Sequence, residues 1–168
     1  MFTLKEARKK AAKVIKVPAY STLGNWVTGK IISGSIKKEC KGKAGGIRGF
    51  YPDRIAGEII AAQRLKSTYS LSDIKKARVL LELDVKKEVE NIYIKDKLTK
   101  SKHILDSKEE EIHHYLIKYN DDINEYDYDI HELSKKMEER RILEKEHELL
   151  KNYADELIKA SEEVNKNC

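Results

Sequence analysis

The sequence predicts a mainly α-helical protein: a small basic head of four short helices and a two-stranded hairpin, then a long helical tail. Three observations carry that expectation. Charged residues make up 38% of the 168-residue chain and proline occurs only twice, so helices with wide solvated faces must dominate. The charge is divided, with 18 Lys/Arg against 5 Asp/Glu in residues 1–78 and 16 against 24 in residues 79–168. Apolar residues also recur at helical spacing through the last third. A segment of about +13 joined to one of about −8 describes a polyanion-binding head on a tail with another task. Nucleic acid is the first candidate, because neutralising phosphates releases counterions before any base is read. An anionic membrane surface is the rival.

Met1 to Lys10 is basic, but no apolar segment follows it, so no secretory signal is expected. No run approaches the ~18 apolar residues of a spanning helix. Cys40 and Cys168 lie far apart in unlike contexts, which suits neither a disulfide framework nor a zinc site. A reduced, cytoplasmic setting follows.

Within the head, Leu4, Ala7, Ala11, Ala12, Val14 and Ile15 form an amphipathic helix over Leu4 to Ile15, with Thr3 and Glu6 spaced as a capping box. Pro18 breaks the chain after Val17. Ser21 or Thr22 then caps a short helix containing Leu23, Trp26 and Val27, ending near Gly29. Two short helices joined by a tight turn make a helix-turn-helix pattern. Next, Ile31–Ile36 and Ile47–Tyr51 flank the Gly/Lys-rich run Lys37–Gly46, which reads as a hairpin with a positive tip, a wing; a disordered basic loop is the alternative. Pro52 and Asp53 open a third helix carrying Ile55, Ala56, Ile59, Ile60 and Leu65. A fourth opens at Leu71-Ser72-Asp73-Ile74 and carries Ala77, Arg78 and Leu81.

This order, with Ala12-Lys13-Val14, Val17, Thr22-Leu23-Gly24-Asn25-Trp26-Val27-Thr28-Gly29-Lys30-Ile31-Ile32, Arg48-Gly49-Phe50-Tyr51 and Thr68-Tyr69-Ser70-Leu71-Ser72-Asp73-Ile74-Lys75, resembles the winged helix-turn-helix DNA-binding domain of the MerR family. The resemblance covers roughly residues 3–82. It departs where the family's recognition-helix Arg and Tyr are replaced by Gly24 and Asn25, and the following Glu-Arg by Val27-Thr28. Fold therefore transfers more safely than operator or mode of regulation. Trp26 suits the core better than base stacking. Ser21, Thr22, Asn25 and Thr28 suit the groove-facing side, asparagine being able to pair bidentately with adenine; capping or solvating the helix is the bland alternative. Lys30, Lys37, Lys38, Lys41, Lys43 and Arg48 are candidate phosphate contacts, Arg48 foremost, and Tyr51 completes the DNA-binding set.

In the tail, Ile112, Leu116, Tyr119, Ile123, Tyr126, Ile130, Leu133 and Met137 keep 4-3 spacing, and Leu143, Leu150, Leu157 and Val164 follow seven apart. Sustained heptads with charged flanks predict a coiled coil, with a discontinuity near Arg140-Arg141 where the phase breaks. Asp121–Asn124 and Asp127–Asp129 form helices poorly and would also suit a turn into a helical hairpin, but the unbroken phase favours one continuous helix. Lys95 to Ser107, more weakly patterned, is the expected hinge. The domain division is thus 1–82 for the winged head, 83–107 for a connecting helix or hinge, and 108–168 for an acidic coiled-coil dimerisation or partner-binding tail. The expected pairing residues are Ile112, Leu116, Tyr119, Ile123, Ile130, Leu133, Met137, Leu143, Leu150 and Leu157. Tyr115, Tyr119, Tyr126 and Tyr128 suit interface packing better than a ligand pocket. His113, His114, His103, His131 and His147 suit solvent or interface better than metal.

No catalytic motif, phosphate-cradling loop or metal cluster is present, so a non-enzyme without cofactor is expected. The MerR resemblance implies a homodimeric, nucleoid-associated transcription regulator, pairing through an antiparallel coiled coil and reading a pseudo-palindrome in double-stranded DNA. Two alternatives stand beside it. One is a structural DNA-bridging or anchoring protein in chromosome or plasmid segregation, a plan similar to RacA-type anchoring proteins. The other is a DNA-bound adaptor recruiting another protein. A membrane partner is not expected.

Overall fold

A computed structural model describes residues 1–40, 47–84, 89–121 and 130–167. The protein is mainly helical, 71% helix, with a small two-stranded antiparallel sheet. The order is α1 (Leu4–Ala11), α2 (Tyr20–Thr28), β1 (Lys37–Cys40), β2 (Ile47–Phe50), α3 (Ile55–Leu65), α4 (Leu71–Leu80), α5 (Asn91–Asp121) and α6 (Ile130–Lys166).

Local chemistry sets several boundaries. Thr3 caps α1 and forms a full capping box with Glu6; Ser70 and Asp73 do the same for α4. α1 stops at Ala11, short of Ile15, where the amides of Lys13 and Val14 turn back to carbonyls only three residues earlier, those of Lys10 and Ala11. α2 starts at Tyr20, and its N-cap is Ala19 with no side-chain bond; Ser21 and Thr22 therefore lie inside its first turn rather than capping it. Trp26 is buried, as expected, with Leu23. Ile31, Ile32 and Ser33 are buried loop residues, not strand. The strand begins only at Lys37, because the apolar run is drawn into the core.

The core is built around α3, of which Ile55, Ala56, Ile59, Ile60, Ala61 and Ala62 are all fully buried. A helix apolar on nearly every side needs cover on every side. α1 supplies Leu4, Ala7 and Ala11, α4 supplies Ile74 and Ala77, and α6 supplies Leu150, Tyr153, Ala154, Leu157, Ala160 and Val164. Each large aliphatic side chain so buried contributes about 1.5–3 kcal/mol. At Gly57 the backbones of α3 and α6 cross so closely that a Cβ would stand 2.6 Å from Ser161 Oγ.

The tail therefore departs from the expected one. It is not one continuous helix: α5 ends at Asp121, and α6 runs back antiparallel to it. Lys108 meets Glu139 at 2.7 Å, Glu109 meets Arg140 at 3.3 Å, and Ser101 meets His147 at 3.0 Å. The stretch 122–129, on which the choice between turn and continuous helix rested, lies outside the described residues. Lys95 to Ser107 is no hinge but part of uninterrupted α5, held by Ile94, Leu98 and Leu105 against the core and α6. Leu150 and Leu157 do not await a second copy; they are buried in their own chain's head. Heptad spacing reports an apolar stripe but not what covers it. α6 passes through Arg140-Arg141 without interruption, and beyond it the helix meets the head as well as α5, Glu146 pairing with Lys76 and His147 with Ser101.

Among the other expected pairing residues, Ile112, Leu133 and Leu143 are half-buried, while Leu116 and Met137 are exposed. Ile123, Tyr126 and Tyr128 lie outside the described residues, as do the side chains of Tyr119 and Ile130. No helix among the described residues is long and apolar enough to cross a membrane.

Candidate nucleic-acid interface

α6 covers α3 and α4 and leaves a face of α2 open. On that face Ser21, Asn25 and Thr28 are exposed, and Thr22 is half-buried. The Thr28 hydroxyl donates to the Gly24 carbonyl at 3.1 Å, so its proton is committed within the helix. The turn between α1 and α2 is fixed by Arg8, whose Nε donates to the Pro18 carbonyl at 3.0 Å.

The sheet pairs Lys37 with Phe50, Lys38 with Gly49 and Glu39 with Arg48. Because strand side chains alternate, Lys37, Glu39, Arg48 and Phe50 share one face and Lys38 takes the other. Lys37 sits 2.7 Å from Glu39, and Arg48 lies 3.7 Å from Glu6 and over the Phe50 ring. Arg48 is thus exposed but already near a carboxylate, while Lys30 and Lys38 are exposed with no carboxylate partner among the described residues. Lys41 and Lys43, at the tip, lie outside the described residues. Tyr51 is half-buried; its amide and carbonyl both pair with Phe2, and burial, then the nearby Tyr20, push its phenol pKa up. Its backbone joins the start of the chain, ahead of α1, to the end of the sheet, and its side chain packs against the core.

A buried ionic node sets the far end of α2. Gly29 keeps right-handed geometry, and it is Lys30, at φ 61°, that makes the left-handed turn. Arg78 holds this turn: its Nη1 donates to the Lys30 carbonyl and lies 3.0 Å from Asp84, and its Nη2 lies 3.5 Å from Glu58. Glu58, fully buried on α3, accepts from the Ser33 hydroxyl at 2.8 Å and from Arg54 Nε at 2.8 Å. Arg54 Nη2 donates to the Leu83 carbonyl at 2.9 Å. Burial works against the Arg78 charge, but Glu58 is the largest of the charges that outweigh it, and the net shift is upward. Tyr153 of α6 reaches the same node near Arg78; its buried hydroxyl makes no hydrogen bond of ordinary geometry among the described residues, and burial pushes its pKa up.

The node therefore ties the exit of α2 to α3, α4 and α6. The sequence reading missed it as a unit, although Glu58 within an apolar helix and Arg78 beside Ala77 were its visible signals.

The acidic residues of α6 neutralise the other basic side of the head. Arg64 binds Glu163 at 2.7 Å and Glu156 at 3.3 Å, and Lys76 binds Glu146 at 2.7 Å. Among the described residues, lysines without a carboxylate partner include Lys5, Lys9 and Lys10 on α1, Lys30 just beyond α2 and Lys38 on the hairpin, and also Lys66 at the end of α3 and Lys75 on α4. His103, His113 and His114 are exposed, and no three metal-binding side chains come together among the described residues. Comparison of the chain with family models, curated proteins and solved structures found no match.

Proposed function

We propose that the chain binds double-stranded DNA through α2 and the β1–β2 hairpin, as a regulator of MerR-like type with a winged helix-turn-helix head. One observation carries this reading. The open face of α2 presents Ser21, Asn25 and Thr28 with Lys30 just beyond its end, and neither Lys30 nor Lys38 of the hairpin meets a carboxylate among the described residues, while α6 pairs Arg64 of α3 and Lys76 of α4. The succession of two short helices, hairpin and two further helices supports the winged reading.

The reading retains a homodimer on a pseudo-palindrome, but the burial of Leu150 and Leu157 in cis moves its seam to the distal arm of α5 and α6. There Ile104, Leu116, Met137 and Ile142 are exposed, while Lys108, Lys136 and Arg140 lie between the helices in ion pairs with Glu111, Glu139 and Glu109. Such an outward apolar surface suits a second copy, giving two heads to two half-sites.

The test is duplex binding by fluorescence anisotropy across a salt series. Affinity should fall log-linearly with salt, at a slope set by the phosphates contacted. Absence of any salt-dependent binding would sink the reading. Mapping bound sites in the cell separates regulation, at a few promoter palindromes, from anchoring at many dispersed repeats.

A further inference from the structure

Three of the glycines have a reason inside the molecule. A Cβ at Gly29 would meet the Asn25 carbonyl at 3.2 Å, one at Gly49 the Ser35 Cβ at 3.1 Å, and one at Gly57 the Ser161 hydroxyl at 2.6 Å. Gly24 has none. It is the fifth residue of nine-residue α2, it is not in the left-handed region, and a Cβ there would meet nothing within 4 Å. Glycine is the poorest helix former after proline, so this position weakens the short helix and the fold gains no packing, cap or turn in return. What it does leave is a half-exposed stretch of backbone between Ser21, Asn25 and Thr28, with open space where a Cβ would stand.

We propose that Gly24 is a specificity-determining position: its missing side chain lets α2 sit close enough to the major-groove floor for Asn25 to reach base edges. The inference rests on the duplex-binding reading above. The dimensions support it. A helix with its side chains is about 10–12 Å across and the groove about 12 Å wide, so the seating depth is tightly limited. A Cβ stands about 1.5 Å proud of the backbone, whereas a hydrogen bond tolerates a spread of only about 0.5 Å. Ser21 and Thr28 stand to either side with side chains of their own, so it is the gap between them, at Gly24, that a methyl group would fill, holding Asn25 away from the bases.

The experiment compares wild type with Gly24→Ala, measuring melting temperature and affinity for two probes. One is a short duplex enriched by the wild-type protein from a random-sequence pool, and the other is a mixed-sequence duplex. The melting temperature should rise by about 2–4 °C, while affinity for the enriched duplex falls at least tenfold and that for the mixed duplex changes much less. Asn25→Ala should cost affinity in the wild-type background and add little in Gly24→Ala, a coupling that a purely structural glycine would not show. Unchanged affinity for the enriched duplex, or a lowered melting temperature, overturns the inference while leaving duplex binding standing. A wild-type protein that binds neither probe overturns both.

Discussion

Replacing Gly57 by alanine should destabilise the protein by about 2 kcal/mol, although alanine is intrinsically the better helix residue by about 1 kcal/mol. The sign is decided at the crossing with α6. The new methyl would lie 2.6 Å from Ser161 Oγ, 3.3 Å from its amide nitrogen and 3.4 Å from its Cα. The hydroxyl is the movable part, but it donates to the Leu157 carbonyl at 2.8 Å, and turning it away forfeits that bond at about 1 kcal/mol. The backbone atoms cannot move without shifting the helix, and such overpacking costs about 1–3 kcal/mol.

Set against the gain in helix propensity, the balance is a loss of about 2 kcal/mol, or a melting temperature lower by about 4–8 °C. Urea unfolding followed by circular dichroism measures it. Ser161→Ala in the Gly57→Ala background should restore about 1 kcal/mol, because it removes the closest contact and leaves the backbone ones. If Gly57→Ala instead stabilises the protein, as an uncovered helix glycine would, then α6 does not lie on α3 and the folded-back tail is wrong.

Other outcomes test other parts of the molecule. Arg78→Met should cost about 2–3 kcal/mol in denaturant, since it takes from buried Glu58 one of its two cations, leaving Arg54, and releases the Lys30 turn. Arg48→Ala should weaken duplex binding uniformly across sequences and flatten the salt slope by about one unit; a sequence-dependent loss would contradict a phosphate role. Ile142→Lys, at a position 49% exposed, should leave the melting temperature nearly unchanged and turn a dimer into a monomer by light scattering. Bonds from Lys108 and then Lys136 lower the Glu111 carboxylate to about 2. Because its folded value lies below the unfolded one, the contribution is complete above pH ~4.5 and lost as pH falls through about 2. NMR titration of the Glu111 carboxyl should show that midpoint, and Glu111→Gln should remove the matching acid-dependent loss of arm helicity.

What could be read from the sequence was what neighbouring residues decide among themselves. Thr3 with Glu6 is a boundary written within four residues, and so is Ser70 with Asp73. Trp26, three positions from Leu23, declares a buried stripe. The tail's repeat was equally visible, but Leu150 and Leu157 would be spaced alike whether they met a second copy, α5 or α3. Periodicity fixes a face and not its partner. The site was legible in part for the same reason. Exposure of Ser21, Asn25 and Thr28 followed from their place opposite Leu23 and Trp26. That Arg48 would stand beside Glu6, and Tyr51 beside Phe2, depends on the sheet closing against the N-terminus, a pairing of residues more than forty positions apart. The node of Glu58, Arg78, Ser33 and Asp84 likewise forms only when four separate segments meet, although Glu58 within an apolar helix was its visible sign.

The crossing of Gly57 and Ser161 also governs when the fold closes. These residues are about a hundred positions apart, so at ribosomal rates of about 5–20 residues per second α3 waits about 5–20 s for its cover. Through that interval its isoleucines stay partly uncovered, and the Arg78 node that holds the exit of α2 lacks the α6 side of its enclosure. A nascent chain carrying every residue of the basic head is therefore not yet a closed fold. Synthesis of α6 sets the moment at which it becomes one, and chains cut short before that helix present an open apolar core to chaperones and proteases.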